Sequence, residues 1–235
     1  MLAHINYIAF DADDTLWENE TYFREAEAQF AALTAKYFPT DDIISRLFET
    51  EMRNLPRYGY GIKGFMLCLV ETLTQITTDP IPVSLLQEYI SLGHAMLDKP
   101  VIVLPHVLAL LQALSPSYQL LMLTKGDLVD QERKLKKSGL ASYFHHIEIM
   151  SDKKPADYQA ILTKLGCEPA DFVMIGNSLK SDILPVLALG GYAAHIPFSE
   201  TWEHERVEED VVHPNFIALT DIREILPFLK RIQQS

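Results

Sequence analysis

Short apolar runs that alternate with stretches of helical spacing constrain the fold of this chain most. Ile5–Phe10, Gln119–Thr124, His146–Met150, Phe172–Gly176 and Tyr192–Ile196 are each short, apolar and bounded by polar or turn residues, as strands buried on both faces are; Phe216–Leu219 is a candidate further strand. Between them lie helical patterns at Pro105–Leu114, Asp130–Lys137 before Gly139, Pro155–Leu165 before Gly166, and Ser181–Leu189 before Gly190. Strand and helix alternating in this way predict parallel strands joined by right-handed crossovers, with functional groups at the carboxyl ends of the strands. The expected core is therefore α/β, a Rossmann-like doubly wound parallel sheet.

Residues 17–98 break the alternation. Phe23, Ala26, Phe30, Leu33 and Tyr37 recur at spacings of three and four, as do Ile62, Phe65, Met66, Leu69, Leu73 and Ile76, so this segment reads as consecutive helices. Pro39, Pro56, Pro80 and Pro82 punctuate it into about four. A chain of 235 residues, at roughly 150 per domain, accommodates one such insertion: a core of 1–16 and 99–235, and a helical unit of 17–98. Helical spacing alone accounts for the aromatic stripes as core.

Composition narrows the function classes. A chain 48% hydrophobic and 22% charged is a folded globular one. Its net charge of −12 argues against a nucleic-acid scaffold or an anionic membrane as partner, while leaving a small anionic substrate open. Val101–Leu114, interrupted by Pro105, His106 and Gln112, falls short of the ~20 residues of a membrane span, and the first ten residues lack the basic region of a secretory signal. Two cysteines, Cys68 and Cys167, without CxxC spacing fit a reducing, cytoplasmic setting.

The chemistry-bearing residues gather at strand ends. The first strand runs into Asp11-Ala12-Asp13-Asp14-Thr15, where period-two alternation sends Asp11 and Asp13 to one side. Two converging carboxylates repel unless a cation or shared proton offsets them, and Mg²⁺ suits such oxygen ligands. Asp14 or Thr15 alternatively caps a helix. Thr124, followed by Lys125-Gly126-Asp127, ends the second run; Lys153 and Lys154 follow the third; Asn177 and Asp182 follow the fourth. Each alone has an ordinary structural explanation as strand former, solvated loop or cap.

Together, FDADDT, LMLT, the lysine of SDKKP and IGNSLKSD, in that order, resemble the four motifs of the haloacid-dehalogenase-like hydrolase superfamily, over nearly the whole chain. The insertion is similar to the helical cap of its first class. The resemblance implies that Asp11 is the nucleophile forming an aspartyl phosphate and Asp13 the general acid and base. It also implies that Thr124 with Lys153 or Lys154 binds phosphoryl oxygens. The Asp11 carboxylate, the Asp13 main-chain carbonyl and the loop carrying Asn177 and Asp182 would hold Mg²⁺. Asn177 stands where the family usually has Asp, so either it or Asp182 is the direct ligand. The family pattern Lys-Pro-x-Pro matches Lys154 if Pro155 is its first proline and Lys153 if it is the second, which better fits the spacing to Tyr158. The second Asp of the first motif favours phosphoryl chemistry over dehalogenation. A phosphatase acting on a small phosphorylated metabolite is expected, with a phosphomutase or a catalytically weak binding protein as alternatives. His145, His146 and His195 read as surface or core residues, Glu203–Asp210 as a solvated loop with an interaction surface as the alternative, and Trp17, Tyr58 and Tyr60 as packing or substrate contacts.

Overall fold

A computed structural model of the chain describes residues 5–39, 41–207 and 210–234. They form two compact units: Met1–Glu18, Val101–Lys125 and Lys134–Ser235 make one, and Asn19–Pro100 with Gly126–Arg133 make the other.

In the first unit, six strands among the described residues pair in parallel: β1 (Tyr7–Phe10), β2 (Gln119–Lys125), β3 (His146–Met150), β4 (Phe172–Gly176), β5 (Tyr192–His195) and β6 (Phe216–Ala218), in the order β3-β2-β1-β4-β5-β6. The chain winds outward from β1 through β2 to β3, then returns to the other side of β1 for β4. That reversal makes the carboxyl end of β1 the switch point, the place in an open α/β sheet where neighbouring connections diverge and leave a crevice. Phe10 pairs with Met122 on one side and Ile175 on the other, so Asp11 follows the end of β1, and Thr124 and Gly176 lie just past the positions paired with it.

Alternation sends successive strand residues to opposite faces, and both are covered. Ile8, Phe10, Leu120, Met122, Val173 and Ile175 pack with α5 (Val107–Leu114) and α9 (Ile225–Ile232). Ala9, Leu121, Leu123, Phe172 and Met174 pack with α7 (Pro155–Leu165) and Val186 of α8 (Leu184–Ala188). These strands therefore read as continuous apolar runs. Between α5 and α7 the chain also forms α6 (Leu128–Ser138).

The second unit contains α1 (Glu20–Ala35), α2 (Ile43–Tyr58), α3 (Ile62–Ile76) and α4 (Val83–Asp98). Its core joins Phe30, Leu47, Leu69, Leu73, Leu85 and Tyr89, and the buried Tyr89 hydroxyl meets Thr34 Oγ1 at 2.5 Å while Thr34 donates to the Phe30 carbonyl. Pro56, expected as a break, lies inside α2; the helix ends one turn later, where Gly59, at φ 68°, donates to the Leu55 carbonyl. Proline has no N–H for the Met52 carbonyl four residues back, and the helix stops within a turn of it. Residues 126–133 join this unit through Lys63, which donates to both Asp127 oxygens at 2.9 and 3.1 Å.

The helix predicted over 181–189 begins instead with a π-helical turn, Leu179–Ile183, before α8. Pro185 explains it: proline has no N–H for the Ser181 carbonyl four residues back. The buried Tyr158 hydroxyl donates to that carbonyl at 3.0 Å instead. Within the turn, Ser178 N donates to Asp182 Oδ2 at 3.0 Å and Ser181 N to Ser178 Oγ at 3.0 Å. The Asp182 carboxylate consequently lies against Gly176, where an added Cβ would fall 2.2 Å from Asp182 Oδ2.

Glu205, in the expected solvated stretch, is instead built into this corner. Lys125 Nζ donates to its Oε1 at 2.6 Å, Ser181 Oγ to its Oε2 at 2.6 Å, and Ser178 Oγ to the same oxygen. Glu208 and Glu209 of that stretch lie outside the described residues. Burial opposes the Glu205 charge, but Lys125 and the two serine hydroxyls prevail and bring its pKa down to about 2.

Two outcomes follow. Gly176→Ala should lower stability by about 1–3 kcal/mol through overpacking against a buried carboxylate, read from the urea midpoint; a wild-type midpoint would contradict the close approach. For Glu205→Gln, a carboxylate whose folded pKa lies below its unfolded value stabilises above the unfolded pKa and loses that contribution as pH falls through the folded one. The variant should be less stable at pH 7 by on the order of 2 kcal/mol, and the gap should close between about pH 4.5 and 2. A pH-independent gap would sink this account.

Candidate active site

Asp11 continues β1, its N–H donating to the Ile175 carbonyl at 2.9 Å. A sharp loop follows: Leu16 N donates to the Ala12 carbonyl at 2.8 Å and Asp14 N to the Trp17 carbonyl at 2.7 Å. Asp14 sits at φ 63°, a left-handed conformation that Asp tolerates better than most residues. Neither Asp14 nor Thr15 caps a helix. Thr15 Oγ1 instead accepts from Asn177 N at 3.1 Å, joining the end of β4 to the loop after β1.

The buried Lys153 ammonium bridges two carboxylates, donating to Asp11 Oδ1 and, at 2.7 Å, to Asp182 Oδ1. Burial disfavours the Lys153 charge, but Asp11 and Asp182 hold its pKa above the ordinary lysine value. Burial pushes Asp11 the other way, up to about 7; Lys153 opposes this and the neighbouring Asp182 adds to it. Lys154 does not join them. It occupies the N-cap position of α7, its side chain is 72% exposed, and it pairs with Asp152 at 2.8 Å.

Asp13 contributes separately by main chain and side chain. Its carboxylate receives Lys134 Nζ at 2.6 and 2.8 Å and Trp17 Nε1 at 2.7 Å. Its main-chain carbonyl lies 3.2 Å from one end of the Asn177 amide, which is also 3.3 Å from Thr15 Oγ1 and from Asp11 Oδ2. With the amide nitrogen at that end, all three contacts are hydrogen bonds. With the oxygen there, three oxygens of Asp11, Asp13 and Asn177 face one another, the donor set a hard cation bridges. Among the described residues no three His, Cys, Asp or Glu side chains form a metal-holding group. An amide oxygen and a main-chain carbonyl supply the donors that such a group lacks, and these residues fit Mg²⁺. Both Asp182 oxygens are engaged, by Lys153 Nζ and Ser178 N.

Thr124 is buried at the end of β2, where its hydroxyl donates to the Lys125 carbonyl at 3.2 Å. His195, expected only as surface or core, closes the far side: its Nε2 lies 2.9 Å from the Asn177 carbonyl, which fixes that nitrogen as the donor. Burial lowers the His195 pKa, favouring the neutral ring. Lys134, Glu205 and His195 reach the site through tertiary contacts, so local spacing carries no sign of them.

The site thus offers a buried carboxylate at a switch point, a fixed ammonium beside it and a second carboxylate two residues on, an arrangement suited to nucleophilic attack on an anionic centre.

Comparison with known proteins gives the family. A glyceraldehyde 3-phosphate phosphatase of Methanothermobacter thermautotrophicus is 31% identical, over 93% of this chain and 95% of that protein. The N-acylneuraminate-9-phosphatase of Mus musculus is 35% identical over 82 residues, so the chain matches only 33% of its length. The crystal structure of a haloacid dehalogenase-like family hydrolase from Xanthomonas campestris superposes with a TM-score of 0.88 at 34% identity, covering 99% of this chain and 96% of that one. Residues 5–190 match the family model described as haloacid dehalogenase-like hydrolase, and the chain belongs to that family.

Proposed function

We propose that this chain is a phosphatase that hydrolyses a small phosphorylated metabolite through an aspartyl phosphate on Asp11. The observation that carries the reading is the buried Asp11 carboxylate at the end of β1, held beside the Lys153 ammonium, with Asp13 two residues on. An Asp11 oxygen attacks phosphorus in line, the P–O bond to the leaving group breaks, and Asp13 protonates the departing oxygen. Asp13 then takes a proton from water as it attacks the aspartyl phosphate, releasing inorganic phosphate and restoring Asp11. Lys153 and Thr124 receive the phosphoryl oxygens, so negative charge developing there meets donors already in place.

Mg²⁺, when bound by the Asp11 carboxylate, the Asp13 carbonyl and the Asn177 amide oxygen, supplies the charge that lets a phosphate dianion approach a carboxylate. Asp182 serves chiefly to hold Lys153. Relatives named as phosphatases of glyceraldehyde 3-phosphate and N-acylneuraminate 9-phosphate support a small phosphate ester as substrate. A net charge of −12 disfavours a nucleic-acid scaffold as partner. No helix of the described residues is long and apolar enough to cross a membrane. Cys68 and Cys167, both free and buried, fit a reducing, cytoplasmic compartment.

Phosphate release from a panel of sugar and other small organic phosphates with Mg²⁺ tests this. Asp11→Asn should abolish release while keeping the fold; undiminished turnover would rule out the nucleophile. Lys153→Ala should lose on the order of a hundredfold or more in kcat, and Lys154→Ala little, whereas equal effects would refute the assignment of Lys153. Mg²⁺ should raise the melting temperature of the wild type at pH 7 and do so much less in Asn177→Ala. Identical shifts would remove Asn177 from the metal site.

A further inference from the structure

We propose that Lys134, together with the indole of Trp17, is a positioning residue that holds Asp13 as an oriented carboxylate for the second half of the reaction, hydrolysis of the aspartyl phosphate. The inference rests on the proposed phosphatase chemistry and concerns two side chains outside the four motifs.

Three hydrogen bonds converge on one carboxylate. Lys134 Nζ lies 2.6 Å from Asp13 Oδ1 and 2.8 Å from Oδ2, and Trp17 Nε1 is 2.7 Å from Oδ1. A cation contacting both oxygens fixes the rotation of the carboxylate plane, which a single hydrogen bond does not. The Lys134 side chain is only 8% exposed and Trp17 is fully buried, so neither arrangement is a loose surface pair. Burying an ammonium is costly unless it is paired, and the Asp13 carboxylate pairs with it. Trp17 is held in turn by backbone: it accepts from Asp14 N at 2.7 Å and pairs with Val103 in an antiparallel bridge.

The chemistry separates the two half-reactions. In the first, Asp13 gives up a proton, and the carboxylate formed finds three donors already aimed at it. In the second, that carboxylate must point at water and remove its proton. A substrate whose leaving group departs without protonation, such as p-nitrophenyl phosphate, needs Asp13 only in the second step. Losing the clamp should therefore slow dephosphorylation selectively and make the aspartyl phosphate accumulate.

Rapid-mixing kinetics of the full chain with p-nitrophenyl phosphate and Mg²⁺ test this. In Lys134→Met, kcat and KM should fall together by about ten- to a hundredfold, with kcat/KM within about threefold of wild type. A burst approaching one nitrophenolate per active site, and an acyl phosphate trapped by hydroxylamine, should accompany the fall. Lys134→Arg should recover part of kcat. Trp17→Phe, which keeps the ring and removes the N–H, should show a smaller burst and gives the same readout if Lys134→Met does not fold. Equal losses of kcat and kcat/KM without a burst, or wild-type kinetics in both variants, would overturn the assignment. Asp11→Asn separates it from the reading beneath: release lost there sustains the phosphatase chemistry whatever Lys134 does, and release retained there overturns both.

Discussion

The site depends on one buried ammonium. Lys153 stands between Asp11, at the end of β1, and Asp182, in the turn after β4, and it allows two carboxylates from adjacent strands to remain side by side out of water. Removing one partner of such a buried set typically costs about 3–5 kcal/mol, because the charge left behind cannot recover its hydration. Much of the surrounding structure keeps that geometry. Gly176 leaves room for the Asp182 carboxylate, Pro185 opens the helix into a π turn, and Tyr158 caps the carbonyl the proline leaves unbonded. The turn is therefore a consequence of local covalent chemistry recruited to hold a charge.

Charge compensation is divided between two neighbouring places. One lysine against Asp11 and Asp182 leaves a deficit of positive charge, and burial accordingly pushes Asp11 up to about 7. A proton or a cation relieves such a deficit, which is consistent with the proposed binding of Mg²⁺ among oxygen donors of Asp11, Asp13 and Asn177. The Asp13 carboxylate is paired with a different lysine, Lys134. Two carboxylates of the same short motif are thus given different electrostatic surroundings, which suits the proposed division in which one attacks and the other moves protons.

Much of this was legible in the sequence because it is local. Short apolar runs with polar ends predict parallel strands buried on both faces, and Asp11, Asp13, Thr124, Asn177 and Asp182 all stand where such strands end. Spacing to Tyr158 favoured Lys153 but kept Lys154 open, because adjacent residues at a helix entrance differ only in which way each side chain turns. The structure places Lys154 at the N-cap and in solvent and directs Lys153 inward. Glu205 looked like part of a solvated acidic run, and only the fold brings it to Lys125, 80 residues away in the chain.

Sequence alone determined the class of fold, the helical insertion and the strand ends that carry the chemistry, because hydrophobic periodicity and turn residues act over a few positions. Tertiary structure alone decided which lysine faces Asp11, that Asn177 meets the Asp13 carbonyl, and that Lys134, Trp17, Glu205 and His195 hold the parts in place. Hydrogen bonds and ion pairs act over about 3 Å, and only the folded chain fixes which side chains come within that reach, whether they lie four residues apart, as Trp17 and Asp13 do, or more than a hundred, as Lys153 and Asp11 do.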